Sequence, residues 1–159
     1  MTGRNRRFLL RERPVGRIGP GTFELSEEAI PELGDGQALV RVDWISLDPT
    51  NRMWINDTPT YLPPVGIGEV RRAGALGEVV ASKSSRYAVG QQVQGLLGWQ
   101  EYTVLDDTAM VNPVDVAHGI SPSAYRKLGA GQAAGMPSCV AAQVLRPVRN
   151  REAAARRRN

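Results

Sequence analysis

Cysteine and histidine are almost missing from this sequence, which has one of each among 159 residues. The single Cys139 excludes an internal disulfide, and the single His118 leaves no usual set of zinc ligands. We therefore expect a reducing, cytoplasmic setting and no bound metal. His118 has no Ser or Cys arranged beside it for nucleophilic catalysis and is predicted to be a surface histidine, and Cys139 is assigned no role.

Long apolar runs are also missing, because charged residues, Gly or Pro interrupt every run within a few positions. A membrane-spanning helix is therefore excluded. Near the N-terminus, Arg6-Arg7 precede Phe8-Leu9-Leu10 as in an export signal, but Arg11-Glu12-Arg13 follow before an apolar segment can form. We expect a first β-strand with basic flanks at this point.

Aromatic residues are scarce, at 6% of the chain, and all nine lie between Phe8 and Tyr125. The charge divides at the same place. Residues 1–125 contain 12 Lys and Arg against 15 Asp and Glu, a net charge of −3, whereas residues 126–159 contain 8 Lys and Arg against Glu152 alone, a net charge of +7. A segment without large apolar anchors does not build a core. We therefore predict one domain at 1–125 and a basic, Ala/Arg-rich tail at 126–159 that is disordered or partly helical.

Three interpretations of this tail stay open. It is a basic arm that binds nucleic acid, a short solvated helix, or sequence that does not continue the original reading frame of the gene. Ala, Arg, Gly and Pro are all encoded by GC-rich codons, and this bias favours a frameshift or truncation over a nucleic-acid arm.

Short candidate strands separated by Gly and Pro turns run through the first 125 residues. Alternation is clearest from Ala38 to Ile45, which predicts a strand with one apolar and one charged face. The apolar face is predicted to consist of Ala38, Val40, Val42 and Trp44. Further strands are predicted at 8–10, at 22–25, around Gly74 and Gly77, and at 99–105.

Helices have little room in this pattern. Asp48 is placed to cap one short helical turn, with Pro49 at the first helical position. About half a dozen short strands with Gly and Pro turns predict a small, mainly β, partly open barrel.

Three ordered blocks of sequence carry a family resemblance. They are Val42 to Arg52, Tyr61 to Val70, and Gly95 to Tyr102. Together they resemble the N-terminal, GroES-like domain of the zinc-independent medium-chain dehydrogenases/reductases. Within that group they are most similar to the NADP-dependent alkenal/one oxidoreductases, also called prostaglandin or leukotriene reductases. The resemblance covers about residues 5–125 and implies a GroES-like barrel.

The sequence departs from this family at several positions. Thr50-Asn51-Arg52 stands where the family often has Tyr-Met-Arg, and Gly90-Gln91 where a Gly-Asp turn is usual. The Cys near Leu47 and the Gly-His-Glu near Gly68 that zinc-dependent relatives use are missing, so no zinc is expected. The Rossmann domain that follows in the family is absent, so the resemblance implies a chain truncated or frameshifted after about residue 125.

The resemblance implies an NADP-dependent oxidoreductase that reduces the C=C bond of an enone or enal by hydride transfer. The N-terminal domain would form the substrate-side wall of the cleft. Without the Rossmann half, we expect this chain alone to be inactive and not to bind NADP(H). A permissive dinucleotide fingerprint at 129–134, with Glu152 downstream, leaves this expectation unchanged, because Pro137 interrupts the helix that must follow.

The resemblance places Asn51, Arg52 and Tyr61 near the cleft. Arg52 is the candidate partner of a phosphate or carbonyl group, Asn51 a candidate hydrogen-bond donor, and Tyr61 a stacking or proton-relay candidate. The structural alternative, favoured for each residue taken singly, is that Asn51 and Arg52 cap or decorate a short helix and Tyr61 packs beneath the proline loop. No catalytic residue is assigned.

The partners of the chain also stay open. The exposed cleft wall pairs with a second copy of the chain or with a separately encoded cofactor domain, and no membrane is expected to bind. The alternative class of function is a stand-alone β-barrel binding module whose basic tail engages nucleic acid or a partner protein, for which salt-sensitive binding to a duplex is the diagnostic.

Overall fold

Eight strands and one short helix make up the part of the chain that this computed structural model describes, namely residues 3–58 and 60–114 and the backbone of residues 140–143. In chain order these elements are β1 (Arg4–Leu10), β2 (Phe23–Ala29), β3 (Ala38–Leu47), α1 (Pro49–Met53), β4 (Gly74–Ser82), β5 (Gln92–Leu96), β6 (Tyr102–Leu105), β7 (Val111–Pro113) and β8 (Val140–Gln143). The predicted mainly β class is confirmed.

One antiparallel sheet of six strands forms the body of the domain. Its order is β6-β3-β4-β5-β7, and β8 pairs with β3. β3 is the central strand, because it pairs with β4 along most of its length, with β6 along residues 38–41 and with β8 along residues 44–47. β1 and β2 form a separate antiparallel ribbon. Short antiparallel strands in two sheets agree with the predicted GroES-like, partly open barrel.

The main core lies on one face of this sheet. Val40, Val79 and Val93 are fully buried there. The register of β3 against β4 shifts by one residue at a β-bulge, since Val42 pairs with Gly77 but Trp44 pairs with Leu76. The structure therefore differs from the predicted apolar face beyond the bulge, where Ile45 instead of Trp44 belongs to the core.

Side chains fasten the β1–β2 ribbon to the sheet. Asn5 is 2% exposed, and its Nδ2 donates to the Tyr102 carbonyl oxygen while its Oδ1 accepts from the Tyr102 N–H, both at 2.9 Å. Beside it, Arg6 Nη2 lies 2.5 Å from Glu101 Oε1, and this hydrogen bond raises the pKa of Arg6. The Asn5 side chain thus adds a pair of hydrogen bonds between β1 and β6, which belong to different sheets.

A smaller apolar cluster lies where the ribbon meets the segment after α1. It is formed by Leu10, Trp54, Ile55 and Val65. The Leu10 N–H donates to the Glu69 carbonyl oxygen and the Gly68 N–H donates to the Leu10 carbonyl oxygen, so backbone bonds hold the same junction. This cluster sets the position of α1 relative to β1.

Several elements differ in extent from the predicted ones. The candidate strands around Gly74 and Gly77 are a single strand, β4, because both glycines stay extended in the ladder. The strand predicted over 99–105 begins at Tyr102. Asp48 precedes α1 as predicted, but its side chain makes no capping hydrogen bond. β7 has no counterpart among the predicted strands, because three residues ending in proline show no alternation.

The segment predicted as a basic tail contributes β8 to the sheet through Val140–Gln143. The other predictions for that segment, which concern Cys139, Glu152 and the fingerprint at 129–134, lie outside the described residues. The prediction for His118, in the preceding domain, also lies outside them.

Candidate functional site

The helix α1 places Asn51 and Arg52 side by side directly after β3. Pro49 occupies its first turn, where a missing N–H costs nothing. Asn51 is 1% exposed, and its Nδ2 donates to the Ser46 carbonyl oxygen at 2.9 Å. Its Oδ1 is buried and has no partner among the described residues. The side-chain amide therefore ties α1 to the end of β3, and its role as a donor to a ligand stays a prediction.

Arg52 holds the loop between β1 and β2 against the helix. Its Nη2 donates to the carbonyl oxygens of Pro14, at 3.2 Å, and Gly16, at 3.1 Å. Its Nη1 donates to Asn56 Oδ1. These contacts occupy donors on both terminal nitrogens, which agrees with the structural alternative. The predicted contact with a phosphate or carbonyl group stays a prediction.

Tyr61 lies on the surface of the proline loop, where it is 64% exposed. Its ring meets Trp54 edge to face, with 6.3 Å between the ring centroids. The exposure corrects the expectation that Tyr61 packs beneath the loop. Because Trp54 directly follows α1, this contact brings Tyr61 to the same region as Asn51 and Arg52.

Two further arginines, absent from the sequence-based predictions, brace this region. Arg13 Nη1 donates to the carbonyl oxygens of Ile55 and Asn56, at 3.1 and 3.2 Å. Arg72 donates to the Pro63 carbonyl oxygen at 2.8 Å and lies 5.6 Å from the centre of the Trp54 ring. Arginines at carbonyl-rich turns give no sequence pattern, so only the fold brings them to their acceptors.

We call residues 11–18, 48–58 and 60–68 the α1 platform. Five of the eight large apolar side chains that stay exposed in the described residues lie on it, although it comprises only 28 residues. They are Val15, Ile18, Met53, Tyr61 and Ile67. Concentrated exposed apolar side chains mark a ligand groove or a surface that another domain covers. The platform therefore combines an apolar contact surface with a braced, rigid base.

A buried arginine lies between the ribbon and the sheet. Arg71 is 7% exposed, and its guanidinium carbon is 3.7 Å from the centre of the Trp99 ring and 4.6 Å from that of Phe23. Its Nε is buried without a hydrogen-bond partner in the described residues. Burial lowers the pKa of Arg71 to about 10. Its position in an Arg71-Arg72 pair suggests a solvated charge, so the sequence alone gives no sign of this burial.

Replacing Arg71 with methionine is expected to stabilise the fold by about 1 kcal/mol at neutral pH. The lowered pKa corresponds to a burial cost of roughly 3 kcal/mol, and two cation–π contacts offset about 2 kcal/mol of it. This cost is fully present below the folded pKa and falls as the pH rises above about 10. Urea unfolding at pH 7 and pH 11 measures both effects, and the advantage of Arg71→Met should shrink at pH 11.

Arg72→Met is the matched control. Arg72 is partly exposed and donates to the Pro63 carbonyl oxygen, so its loss should give no stabilisation at pH 7. A lower stability of Arg71→Met than of the unchanged chain at pH 7 would show that the aromatic contacts outweigh the burial cost.

Among the described residues we find neither a group of metal ligands nor a membrane-spanning helix. Within residues 3–58 and 60–114, no three His, Cys, Asp or Glu side chains are grouped so that they could hold a metal ion. The helix in this part of the chain is too short and polar to cross a membrane.

The two antiparallel sheets and the α1 platform define a mainly β domain of the GroES-like kind. The chain belongs to the family described as the N-terminal domain of oxidoreductase, which matches residues 6–114. It is 40% identical over 120 residues to the NADPH-dependent curcumin reductase of Escherichia coli strain K12, a match that covers 76% of this chain and 34% of that protein. It is 25% identical over 103 residues to prostaglandin reductase 1 of Sus scrofa, covering 65% of this chain and 29% of that protein. The family resemblance is confirmed.

Solved structures show the same relationship. CurA from Vibrio vulnificus matches with a TM-score of 0.65 and 35% identity, over 72% of this chain and 34% of that chain. CurA in complex with NADPH from the same organism matches with a TM-score of 0.63 and 34% identity, over 71% and 34%. The chain thus spans about a third of the length of these relatives.

Proposed function

We propose that this domain forms the substrate-side wall of the cleft in an NADPH-dependent reductase of α,β-unsaturated carbonyl compounds. The α1 platform is the observation that carries the proposal. Its exposed apolar side chains, Tyr61 among them, suit a flat, conjugated substrate, and the platform also carries Asn51 and Arg52. The similarity to an NADPH-dependent curcumin reductase supports the substrate class, since curcumin contains C=C bonds conjugated to carbonyl groups.

The described residues do not by themselves fit NADPH. A dinucleotide is bound at the N-terminus of a helix that follows a parallel strand through a Gly-rich turn. In contrast, every strand pair in the described part is antiparallel, and α1 has only five residues. We therefore propose that the rest of the intact enzyme binds the cofactor and that this chain alone neither binds it nor catalyses.

In the intact enzyme, bound NADPH would supply hydride-donor chemistry for a conjugated carbonyl substrate. The contribution of this chain is to exclude water and orient the conjugated carbonyl compound. Tyr61 presents an exposed hydroxyl at the platform surface and is proposed to deliver the proton that completes the reduction at the α-carbon. Arg52 is proposed to fix the loop that borders the substrate.

A chimera tests this proposal. Residues 1–114 of this chain would replace the matching N-terminal part of the E. coli curcumin reductase. The chimera should oxidise NADPH only when an enone is added, whereas the 159-residue chain should not change NADPH fluorescence at micromolar concentrations. Tyr61→Phe in the chimera should lower kcat by roughly tenfold or more, because proton transfer loses its donor.

Tyr87→Phe is the control for the tyrosine change, because Tyr87 is 1% exposed in the core and remote from the platform surface. It should leave kcat unchanged. Micromolar NADPH binding with enone-dependent oxidation by the chain alone would contradict the assigned division of roles. A folded chimera that reduces other substrates but no enone would contradict the substrate class.

A further inference from the structure

A second concave surface lies apart from the α1 platform, between the open end of the β1–β2 ribbon and the sheet. Its volume is about 900 Å³, and none of its lining residues belongs to the platform. Leu39 and Ala81, register partners on β3 and β4, line it. Leu39 is 3% exposed but is not part of either core cluster, so it faces this groove from the other side of the sheet. The groove thus has an apolar floor.

The rim of the groove carries three exposed carboxylates, from Glu27, Glu28 and Glu32. Arg4 pairs with Glu27 at 3.0 Å, but the two side chains are 75% and 41% exposed. Exposed pairs of this kind contribute little and exchange readily. Glu32 makes no ion pair within the described residues. The rim is therefore able to accept additional cationic groups.

The remaining charged side chain at the groove is already engaged. Lys83 Nζ donates to the Leu33 carbonyl oxygen at 2.8 Å. Arg7, outside the groove, lies 2.6 Å from Glu28 and leaves that carboxylate 43% exposed. An occupant of the groove consequently meets an apolar floor and partly accessible carboxylates.

The chain leaves β8 in the direction of this groove. β8 runs from Val140, opposite Leu47, to Gln143, opposite Trp44. Leu39 lies five residues further along β3 in the same direction, a distance of about 17 Å in a strand. The sixteen residues that follow Gln143 can extend to roughly 50 Å, so their length is sufficient to reach the groove.

The charge of residues 144–159 is complementary to the rim. They contain six Arg and one Glu, a net charge of +5, with Val144, Leu145 and Val148 as apolar residues. Residues 1–125 carry −3. We propose that the groove docks residues 144–159 of the same chain, with arginines on the rim carboxylates and apolar side chains on the Leu39–Ala81 floor.

Limited trypsin digestion of the full chain tests this docking, because five of the six arginines are cleavage sites, Arg146 being protected by Pro147. Cleavage within residues 149–158 is followed by mass spectrometry at low salt. The triple variant Glu27→Gln, Glu28→Gln, Glu32→Gln should be cleaved there about tenfold faster than the unchanged chain, since several weak pairs are lost together. Added salt of 0.5 M should raise the rate in the unchanged chain similarly, because it screens exposed charges.

The control triple variant Glu12→Gln, Asp57→Asn, Asp107→Asn makes the same change in net charge at exposed positions outside the groove. Its C-terminal segment should be cleaved by trypsin at a rate within twofold of that in the unchanged chain. Cleavage after Arg41, which lies in β3, reports any unfolding. Equal rates in all three proteins would overturn the proposal and favour a tail without a docking role. Protection that increases with protein concentration would also overturn it, in favour of a second copy as the occupant.

Discussion

Gly77→Ala is expected to destabilise the domain by about 3 kcal/mol, which corresponds to a fall of roughly 10 °C in Tm. A Cβ at this position would lie 2.4 Å from the Arg41 carbonyl oxygen and 2.6 Å from Val40 Cγ1. Neither neighbour moves easily, because the Arg41 carbonyl group belongs to the backbone of the central strand β3 and the Val40 side chain is fully buried. The added methyl group must therefore separate β3 from β4 at the bulge. Thermal unfolding followed by circular dichroism measures the loss.

Gly74→Ala is the control in the same strand. The nearest atom to a Cβ at Gly74 is Ser46 Cβ at 3.9 Å, an ordinary contact. The free energy of unfolding of Gly74→Ala should stay within about 0.5 kcal/mol of that of the unchanged chain or rise slightly, because alanine restricts the unfolded chain. Similar losses at both positions would mean that loss of glycine in β4 matters more than the close approach to β3.

The strands of this domain follow from local sequence to different degrees. The alternation in β3 predicts a strand with its first apolar residues in the core, and this part is confirmed at Ala38, Val40 and Val42. The bulge beyond Val42 could not be predicted, because it depends on how Gly77 of β4 approaches β3. Local patterns specify which residues are extended, whereas their register depends on the partner strand.

In the candidate site, too, local sequence predicts some features, whereas others depend on distant parts of the chain. Pro49 after an aspartate predicts the start of α1, and the structure confirms it. Two of the three acceptors of Arg52 are the carbonyl oxygens of Pro14 and Gly16, more than thirty residues earlier in the chain, and no local signal identifies them. Arg71 is an even stronger case, because a charged residue at a buried position contradicts the usual pattern. Tertiary contacts therefore decide the roles of the arginines.

Asn5→Leu is expected to cost about 3 kcal/mol, because the Tyr102 N–H and C=O would both lose their partner at a buried position. Leucine keeps the number and branching of the side-chain heavy atoms but is bulkier, so the loss combines the missing hydrogen bonds with some overpacking. Protection should fall most around Asn5, because backbone hydrogen bonds such as those from the Glu101 N–H to the Arg6 carbonyl oxygen and from the Phe8 N–H to the Trp99 carbonyl oxygen still join the ribbon to the domain. Urea unfolding gives the free energy, and amide hydrogen exchange in β1 and β2 shows where protection is lost.

Two further variants separate the possible causes of that loss. Asn112→Leu changes an exposed asparagine in β7 and should alter stability by no more than about 0.5 kcal/mol. Asn5→Asp keeps the acceptor for the Tyr102 N–H but directs a carboxylate oxygen at the Tyr102 carbonyl, which raises the pKa of the new carboxyl group. Its deficit relative to the unchanged chain should therefore shrink as the pH falls, because the protonated form donates again. A deficit that does not depend on pH would mean that the loss of stability comes from packing around Asn5 and not from the paired hydrogen bonds to Tyr102.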